Sequence, residues 1–265
     1  MNSALIAGKT LGLSNQKGGA AKSTTSAALA VLFGQQGKRV LAIDSDPQAH
    51  LSLQFGIDVL RDENVPGTAS DLYLGKAAAH EIAIPTRFAG VHLVPASVDL
   101  AAVEINLPGM TGCDLRLRRS LEKARLRWDL IILDSPPNLG KFAVNVLNAS
   151  DYFLVPVDGP WALRSVDTLL ALATDNASIY NLPSEFLGVF LTMSDRTKIM
   201  QGVREEAEQR FGDRLFKSEI RRSTLAREAA ALETPLPLYA ADSGVAADYR
   251  ALALEVAAHM GLSSR

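Results

Sequence analysis

The chain has 265 residues, of which 48% are hydrophobic and 21% are charged, a composition that excludes disordered, collagen-like and disulfide-stapled proteins. It contains 27 Lys and Arg residues against 29 Asp and Glu residues, so its net charge of −2 gives no global attraction to nucleic acid or acidic membranes. The single cysteine, Cys113, excludes an internal disulfide, and no apolar run approaches the roughly 18 residues that a membrane span needs. We therefore expect a cytoplasmic protein.

Short apolar runs alternate with longer segments of helical period along the chain, which predicts an α/β protein with a mostly parallel twisted sheet flanked by helices. Several runs are apolar at successive positions, as in strands that are buried on both faces. The predicted strands are 10–14, 39–43, 91–95, 130–133, 152–157, 186–192 and 216–220. The predicted helices are 22–36, 114–125, 142–148, 163–180, 197–211, 224–232 and 245–260.

The stretch 57–85 breaks this alternation, because prolines and glycines interrupt its periodicity, and we predict an insertion with short helices there. No long Gly/Ser/Pro linker and no internal repeat is evident elsewhere. Residues 1–265 are therefore predicted to form a single domain, with residues 1–9 as an N-terminal tail. A first strand that starts at Thr10 leaves no room for an N-terminal helix-turn-helix domain.

A loop of small residues follows the first predicted strand and leads into an Ala-rich helix. Such a loop lets consecutive backbone N–H groups surround a phosphate, and the helix N-terminus adds further donors. In that reading Lys22 meets the β- and γ-phosphates and Ser23 binds Mg²⁺. Gln16 and Ala21 occupy the glycine positions of the strict G-x-x-x-x-G-K-[ST] pattern, so the loop alone leaves an ordinary strand–helix turn open.

Carboxylates end two further predicted strands. Asp44 and Asp46 follow the second strand, and Asp134 ends the fourth. At the carboxyl ends of parallel strands, beside a phosphate loop, such groups can orient a water molecule or hold a metal ion. Asp46 before Pro47 also fits a helix N-cap, and Asp134 before two prolines fits a turn.

These segments together resemble the ParA/MinD family of deviant Walker A ATPases. Residues 17–24, K-G-G-A-A-K-S-T, follow the family's K-G-G-x-G-K-[ST]-T pattern except at Ala21. Residues 44–48 are similar to its switch I segment, and residues 128–137 are similar to its Walker B strand and switch II. At position 21 a non-glycine residue costs about 1–2 kcal/mol if φ is positive and little otherwise, so nucleotide binding should survive while hydrolysis is altered.

The resemblance implies ATP and Mg²⁺ as ligands and assigns site residues. Lys17, Lys22 and Asp46 would be catalytic, with Asp46 positioning the attacking water. Mg²⁺ would be held near Ser23, Asp46 and Asp134. The nucleotide-binding residues would be Lys17, Gly18, Gly19, Ala20, Ala21, Lys22, Ser23, Thr24 and Met193. The switch residues would be Asp44, Pro47, Gln48, Ser135, Pro136 and Pro137.

The resemblance also implies partners. In this family the signature lysine, here Lys17, reaches the phosphates of the other subunit in an ATP-bound homodimer. MinD-type members bind membranes through a basic C-terminal helix, whereas the predicted helix 245–260 carries one arginine and no lysine, which disfavours a membrane. ParA-type members bind DNA without sequence preference and act with a ParB-like protein or cargo adaptor. Matching stretches assign DNA contacts to Arg196, Lys198, Arg221, Arg222 and Arg227.

We therefore expect a nucleoid-associated ATPase that segregates plasmid or chromosomal DNA with a ParB-like partner. Two alternatives stay open: a ParA-like or MinD-like protein that positions another cargo, and a metabolic P-loop kinase or ligase. The metabolic enzyme would need a polar acceptor pocket and would not be retained on DNA by ATP. A second basic stretch has a weaker claim to DNA: Arg116, Arg118, Arg119, Arg125 and Arg127.

Overall fold

The structure is a computed structural model that describes residues 7–62 and 64–262. Its strands in that part of the chain are β1 (Lys9–Leu13), β2 (Val40–Asp44), β3 (Ile84–Pro85), β4 (Val91–Val94), β5 (Leu130–Asp134), β6 (Tyr152–Val157) and β7 (Glu185–Leu191). They form one sheet in the order β3-β4-β2-β5-β1-β6-β7, in which only the β3–β4 pair is antiparallel. The predicted α/β class with a mostly parallel sheet is confirmed.

Helices cover both faces of the sheet. The α-helices of the described residues are α1 (Lys22–Gln35), α2 (His50–Gln54), α3 (Ala69–Leu74), α4 (Ala79–Ile82), α5 (Leu100–Asn106), α6 (Arg116–Ser120), α7 (Lys141–Ala149), α8 (Pro160–Tyr180), α9 (Lys198–Phe211), α10 (Leu225–Ala231), α11 (Leu236–Tyr239) and α12 (Gly244–Met260). The short α3 and α4 lie in the predicted insertion.

Alternate residues of the central strands serve two cores, because successive side chains of a strand point to opposite faces. In β5, Leu130 and Ile132 pack in the core that contains α1 and α12. Ile131 and Leu133 pack in the opposite core with Phe142 of α7. The central strands are therefore buried on both sides, which explains their uninterrupted apolar runs.

The register of the three central strands aligns their carboxyl ends. Leu13 at the end of β1 pairs with Asp134 at the end of β5. Asp44 at the end of β2 also pairs with Asp134. The loop after β1 and both carboxylates consequently open onto the same edge of the sheet.

The predicted seventh strand, 216–220, is wrong. Isolated bridges flank this segment, Val189 to Leu215 and Ser194 to Arg221, and its two ends donate to β7: Phe216 to the Val189 carbonyl at 2.8 Å and Ile220 to the Leu191 carbonyl at 2.9 Å. Between them, the backbone amides of Lys217 and Ser218 donate to the Glu255 carboxylate of α12, at 2.8 and 2.9 Å. A side chain from a distant helix thus interrupts the hydrogen-bond ladder that a strand would need.

The predicted helix 114–125 is also wrong as one element. The structure divides it into the 3₁₀ turn Cys113–Leu115, the helix α6 and the 3₁₀ turn Ala124–Leu126. Asn145 of α7 accepts from the backbone N–H of Leu117 and donates to the carbonyl of Cys113, at 3.1 and 2.7 Å. These bonds to α7 replace bonds that a continuous helix would make.

The predicted tail, 1–9, ends earlier than expected, because Lys9 already belongs to β1. Residues 1–6 lie outside the described residues.

Candidate functional site

The loop that joins β1 to α1 is anchored at its start by a buried asparagine. Asn15 donates to the carbonyl of Pro156 at 2.6 Å. Its Oδ1 accepts from the Lys17 amide at 3.0 Å and from the Ser165 hydroxyl of α8 at 2.9 Å. The start of the loop is therefore fixed to β6 and α8, which leaves residues 18–21 to form the bend ahead of α1.

Ala21, the residue that departs from the family pattern, has a left-handed backbone. Its φ is 57° and its ψ is 24°, at the N-cap of α1. Gly19, two residues earlier, has a φ of 81°. Because a Cβ atom in this region crowds the backbone, Ala21 carries a strain of about 1–2 kcal/mol that glycine would not have.

We expect Ala21→Gly to stabilise the protein despite the greater freedom of glycine in the unfolded chain. The relief of strain exceeds that entropic loss, which leaves a net gain of up to about 1 kcal/mol. For a chain of this size the melting temperature should rise by roughly 2–4 °C, measured by calorimetry. Ala20→Gly is the control: Ala20 is buried without a positive φ, so this variant should melt lower. A lower melting temperature for Ala21→Gly would contradict the strain.

Lys22, the first residue of α1, is buried at the end of the loop with 6% of its surface exposed. Its ammonium donates to the Lys17 carbonyl at 3.1 Å. Burial lowers the pKa of Lys22, and the charges of Asp134, Asp46 and Asp158 oppose this shift. The lysine thus stands among three carboxylates at the carboxyl edge of the sheet.

Asp44 and Asp134 are fully buried carboxylates with different partners. Asp44 accepts from the amide and hydroxyl of Ser52 on α2, at 2.9 and 2.8 Å. Asp134 Oδ1 accepts from the Ser26 hydroxyl at 2.9 Å, whereas Oδ2 is buried without a hydrogen bond among the described atoms. Burial raises the pKa of both carboxyls, and their mutual repulsion adds to the effect at Asp134.

The unpaired oxygen of Asp134 fits a divalent cation, since a buried carboxylate oxygen requires compensation. The Ser23 hydroxyl is close enough to lower the pKa of the Asp134 carboxyl, against the effect of burial, so the two predicted Mg²⁺ ligands are neighbours. No group of three His, Cys, Asp or Glu side chains that could hold a metal occurs within residues 7–62 and 64–262. The Ser23 and Asp134 oxygens suit Mg²⁺, which usually takes one or two carboxylates and fills its shell with water and phosphate oxygens.

We expect Asp134→Asn to stabilise the metal-free protein, and more at alkaline than at acidic pH. A folded-state pKa above the unfolded value means that the native state binds the proton more tightly, so its stability falls as pH rises from about 4 through the folded pKa. Asparagine removes that loss. Melting temperatures in chelator at about pH 5 and about pH 8 measure it. The control variant Asp213→Asn, at an exposed position, should show no such pH dependence. Equal pH profiles for Asp134→Asn and the parent protein would refute the expectation.

Asp46 lies beside these groups but does not cap a helix. Its Oδ1 accepts from the Gln48 amide at 3.0 Å, and its carbonyl accepts from the Ala49 amide at 2.9 Å. The N-cap of α2 is Ala49, with a φ of 54°. The alternative of a helix-capping Asp46 is therefore wrong, because the backbone makes a tight turn before α2 begins.

Lys17 and Asp158 form an ion pair at the rim of the site, with 2.8 Å between Nζ and Oδ2. The lysine side chain is 40% exposed, whereas that of Asp158 is 8% exposed and its Oδ1 has no described partner. We did not predict Asp158 from the sequence. It follows directly on β6, so the strand-end rule that selected Asp44 and Asp134 could have found it.

Two adjoining cavities open beside the loop. One of about 430 Å³ is lined by residues 18–24, by Asp46, Gln48 and Pro137, and by part of α10. The other, of about 250 Å³, is lined by apolar side chains, among them Val245 and Tyr249 of α12, and by polar ones that include Arg221, Arg222 and Arg227. Met193, with a φ of 50°, lines both. The predicted residues 18–24, Gln48 and Pro137 thus line the first cavity, whereas Lys17, Pro47 and Pro136 line neither. Asp44, Ser135 and Asp134 lie buried behind the first cavity.

The predicted DNA contacts are less uniform. Arg196 and Lys198 are exposed, and Arg222 is exposed with Asp195 at 3.6 Å. Arg221 forms a bidentate pair with Asp248, at 2.6 and 2.7 Å, which neutralises its charge. Arg227 lines both cavities beside the loop, so it faces the site and not a separate surface.

Comparisons with known proteins agree with this geometry. Residues 8–180 match a family described as the AAA domain. The chain is 35% identical to the sporulation initiation inhibitor protein Soj of Bacillus subtilis over 254 residues, 95% of this chain and 99% of Soj. It is 32% identical to the chromosome partitioning protein ParA of Caulobacter vibrioides over 252 residues, 94% of this chain and 93% of ParA.

A solved structure adds a relative with a different name. The cobyrinic acid a,c-diamide synthase of Mycobacterium smegmatis, with a bound ATP analogue and magnesium, is 29% identical, with a TM-score of 0.79 and 96% of each chain covered. In the part of this chain that the structure describes, no helix has both the length and the apolarity to cross a bilayer.

Proposed function

Because this chain belongs to the AAA-domain family and is a homologue of Soj and of the chromosome partitioning protein ParA, we propose that it is an ATPase whose ATP-bound dimer binds DNA without sequence preference and segregates DNA with a ParB-like adaptor. The observation that carries the proposal is that Lys22, Ser23 and Asp46 line one cavity with the loop, next to the buried Asp134, whose Oδ2 has no hydrogen-bond partner. That arrangement suits the triphosphate of ATP with Mg²⁺. In this proposal the protein acts at the nucleoid, in the cytoplasm.

In this proposal each polar group has one task. The amides of residues 18–24 and Lys22 bind the phosphates, and the cavity beside Met193, which Val245 and Tyr249 also line, takes the base. Ser23 and Asp134 hold Mg²⁺, with Asp46 close to it, and the ion would neutralise charge on the β- and γ-phosphates. Asp46 orients the attacking water. Hydrolysis is slow until a partner stimulates it.

Lys17 links nucleotide binding to dimerisation. Its ammonium is held by Asp158 within the same chain. To reach the phosphates of a second copy it must leave Asp158, and ATP supplies the competing negative charge. The same edge of the sheet also exposes large apolar side chains: Val98 (60%), Ile105 (81%) and Trp161 (73%). Such residues suit a surface that a second copy covers.

We expect Asp158→Asn to strengthen ATP-dependent dimerisation. Two partly exposed ion pairs break in every dimer, each worth roughly 0.2–1 kcal/mol, so the dimer dissociation constant should fall by about tenfold. Analytical ultracentrifugation with a non-hydrolysable ATP analogue measures it. Tryptophan fluorescence provides a second signal of dimerisation, because Trp161 is exposed whereas Trp128 is buried. Asp167→Asn, which also loses an ion pair on α8, should leave the constant unchanged. Weaker dimerisation in Asp158→Asn would refute the restraint on Lys17.

The function itself is tested by retention on duplex DNA of arbitrary sequence. We expect retention with ATP and Mg²⁺ but not with ADP, and loss of retention at high salt, because contacts to phosphates release counterions. Equal retention with both nucleotides, or none with either, would refute the switch.

The synthase relative supports a second candidate, an ATP-dependent amide-forming ligase. That activity requires an acceptor carboxylate that accelerates ATP turnover in the absence of DNA. Turnover that depends on such an acceptor, with no nucleotide-dependent retention on DNA, would favour the ligase.

A further inference from the structure

A concentration of positive charge surrounds α6 and extends to the amino ends of β1 and β5. We call it the amino-edge patch, and it consists of Lys76, Arg116, Arg118, Arg119, Lys123 and Arg127. Arg125, beside the patch, donates to the Thr10 hydroxyl at the start of β1 and pairs with Asp151, just before β6. None of the patch residues lines the two cavities beside the loop.

Few carboxylates face the charges of this patch: Glu81, which lies near Lys123 and Arg127, and Glu122. Three of its arginines donate to backbone carbonyls: Arg116 to Tyr73 at 3.0 Å, Arg118 to Asn148 at 3.2 Å and Arg127 to His80 at 3.3 Å. Within residues 7–62 and 64–262, no hydrogen bond or ion pair holds the side chains of Lys76, Arg119 or Lys123. A carbonyl orients a guanidinium but leaves its charge in place, so the patch attracts anions.

Arg119 stands between two cavities. One, of about 360 Å³, is lined by Lys76, Arg116 and Arg119 together with one acidic residue, Glu81. The other, of about 390 Å³, is lined by Arg118, Arg119 and the paired Arg125, with Glu122 as its acidic residue. Cations exceed carboxylates in both cavities. By contrast, the cavity near Arg196 contains three arginines and three acids, Asp195, Glu219 and Asp248.

The shape of the patch decides between two kinds of polyanion. Arg116 and Arg118 are half-buried in the cavity walls, so their guanidinium groups are recessed. A rigid duplex about 20 Å wide presents its phosphates on a convex surface and cannot enter two recesses on either side of one residue. A flexible acidic chain can place carboxylates in both, where the planar guanidinium matches a carboxylate.

We propose that the amino-edge patch is a docking site for an acidic polypeptide segment, whose carboxylates enter the two cavities on either side of Arg119. The site works independently of nucleotide, because none of its residues lines the two cavities beside the loop. A partner could therefore stay bound through the whole ATP cycle. This inference does not rest on the proposed function.

Fluorescence anisotropy with a labelled oligoglutamate peptide tests the proposal. We expect binding at low salt that is the same with ATP, with ADP and without nucleotide. Arg119→Glu reverses the charge that the two cavities share, and it should weaken binding of the peptide by about tenfold. Lys76→Glu should weaken binding of the peptide as well. Arg250→Glu is the matched control, because Arg250 is an exposed arginine that donates to a carbonyl, that of Ala241 at 2.9 Å, outside the patch.

Several outcomes would overturn the proposal: no binding of the peptide, equal binding to Arg119→Glu and Arg250→Glu, or binding that requires ATP. A labelled DNA duplex tests the alternative that the patch binds nucleic acid. Duplex binding that Arg119→Glu abolishes, without peptide binding, would make the patch a nucleic-acid surface. Because the peptide assay needs no ATP, its failure is distinguishable from a failure of the proposed switch.

Discussion

Lys22→Ala should abolish ATP binding at ordinary nucleotide concentrations, the largest effect that we expect from a single substitution. The variant loses a charge-assisted contact with the phosphates, which is worth about 1.5–3 kcal/mol. It also leaves Asp134 and Asp46 without the nearby cation that opposes their field, and this field then repels the triphosphate. The affinity should fall by at least about 100-fold, measured by titration calorimetry with ATP and Mg²⁺.

Lys17→Ala is the matched control, because it removes a second lysine from the same loop. Lys17 is paired with Asp158 at the rim, so its loss should leave the affinity of a single chain for ATP nearly unchanged while it prevents dimerisation. Circular dichroism checks that both variants fold. Normal ATP affinity in Lys22→Ala would show that Lys22 does not meet the phosphates.

Asp46→Ala should slow ATP turnover by about 10²–10⁴-fold without loss of ATP affinity, the second large effect. A positioned carboxylate contributes a factor of that size by orienting the water and accepting its proton in the transition state. Asp46 is 6% exposed, and it lines the cavity of about 430 Å³ beside the loop. Phosphate release under single-turnover conditions measures the rate. The dimer should persist on ATP, because hydrolysis no longer dissociates it.

Asp58→Ala separates this effect from loss of a local turn. Asp58 accepts from the Leu60 amide at 3.0 Å, the same arrangement that Asp46 has with Gln48, but its side chain is 22% exposed and it lines neither cavity beside the loop. We expect normal turnover in Asp58→Ala. Asp46→Asn preserves the turn. If this variant turns over ATP as fast as the parent protein, then Asp46 has a structural role and does not position the water.

The amino-acid sequence alone was sufficient for the architecture and for most of the nucleotide edge. Apolar runs at successive positions predict strands that are buried on both faces, and Leu130 to Leu133 are buried in the two cores as this requires. The loop and the strand-end carboxylates could also be predicted, because the carboxyl ends of parallel strands meet at one edge. Each of these inferences depends on residues that are close together along the chain.

Only the tertiary structure decided which charges remain uncompensated. Lys17 meets Asp158, 141 positions away, and Arg221 meets Asp248, 27 positions away, so neither pair is visible in a local pattern. The same holds for Glu255, which takes the amides of the predicted strand 216–220, and for Asn145, which divides the predicted helix 114–125. Local periodicity records which residues avoid water, whereas hydrogen bonding and charge neutralisation depend on the partners that the folded chain brings within about 3 Å.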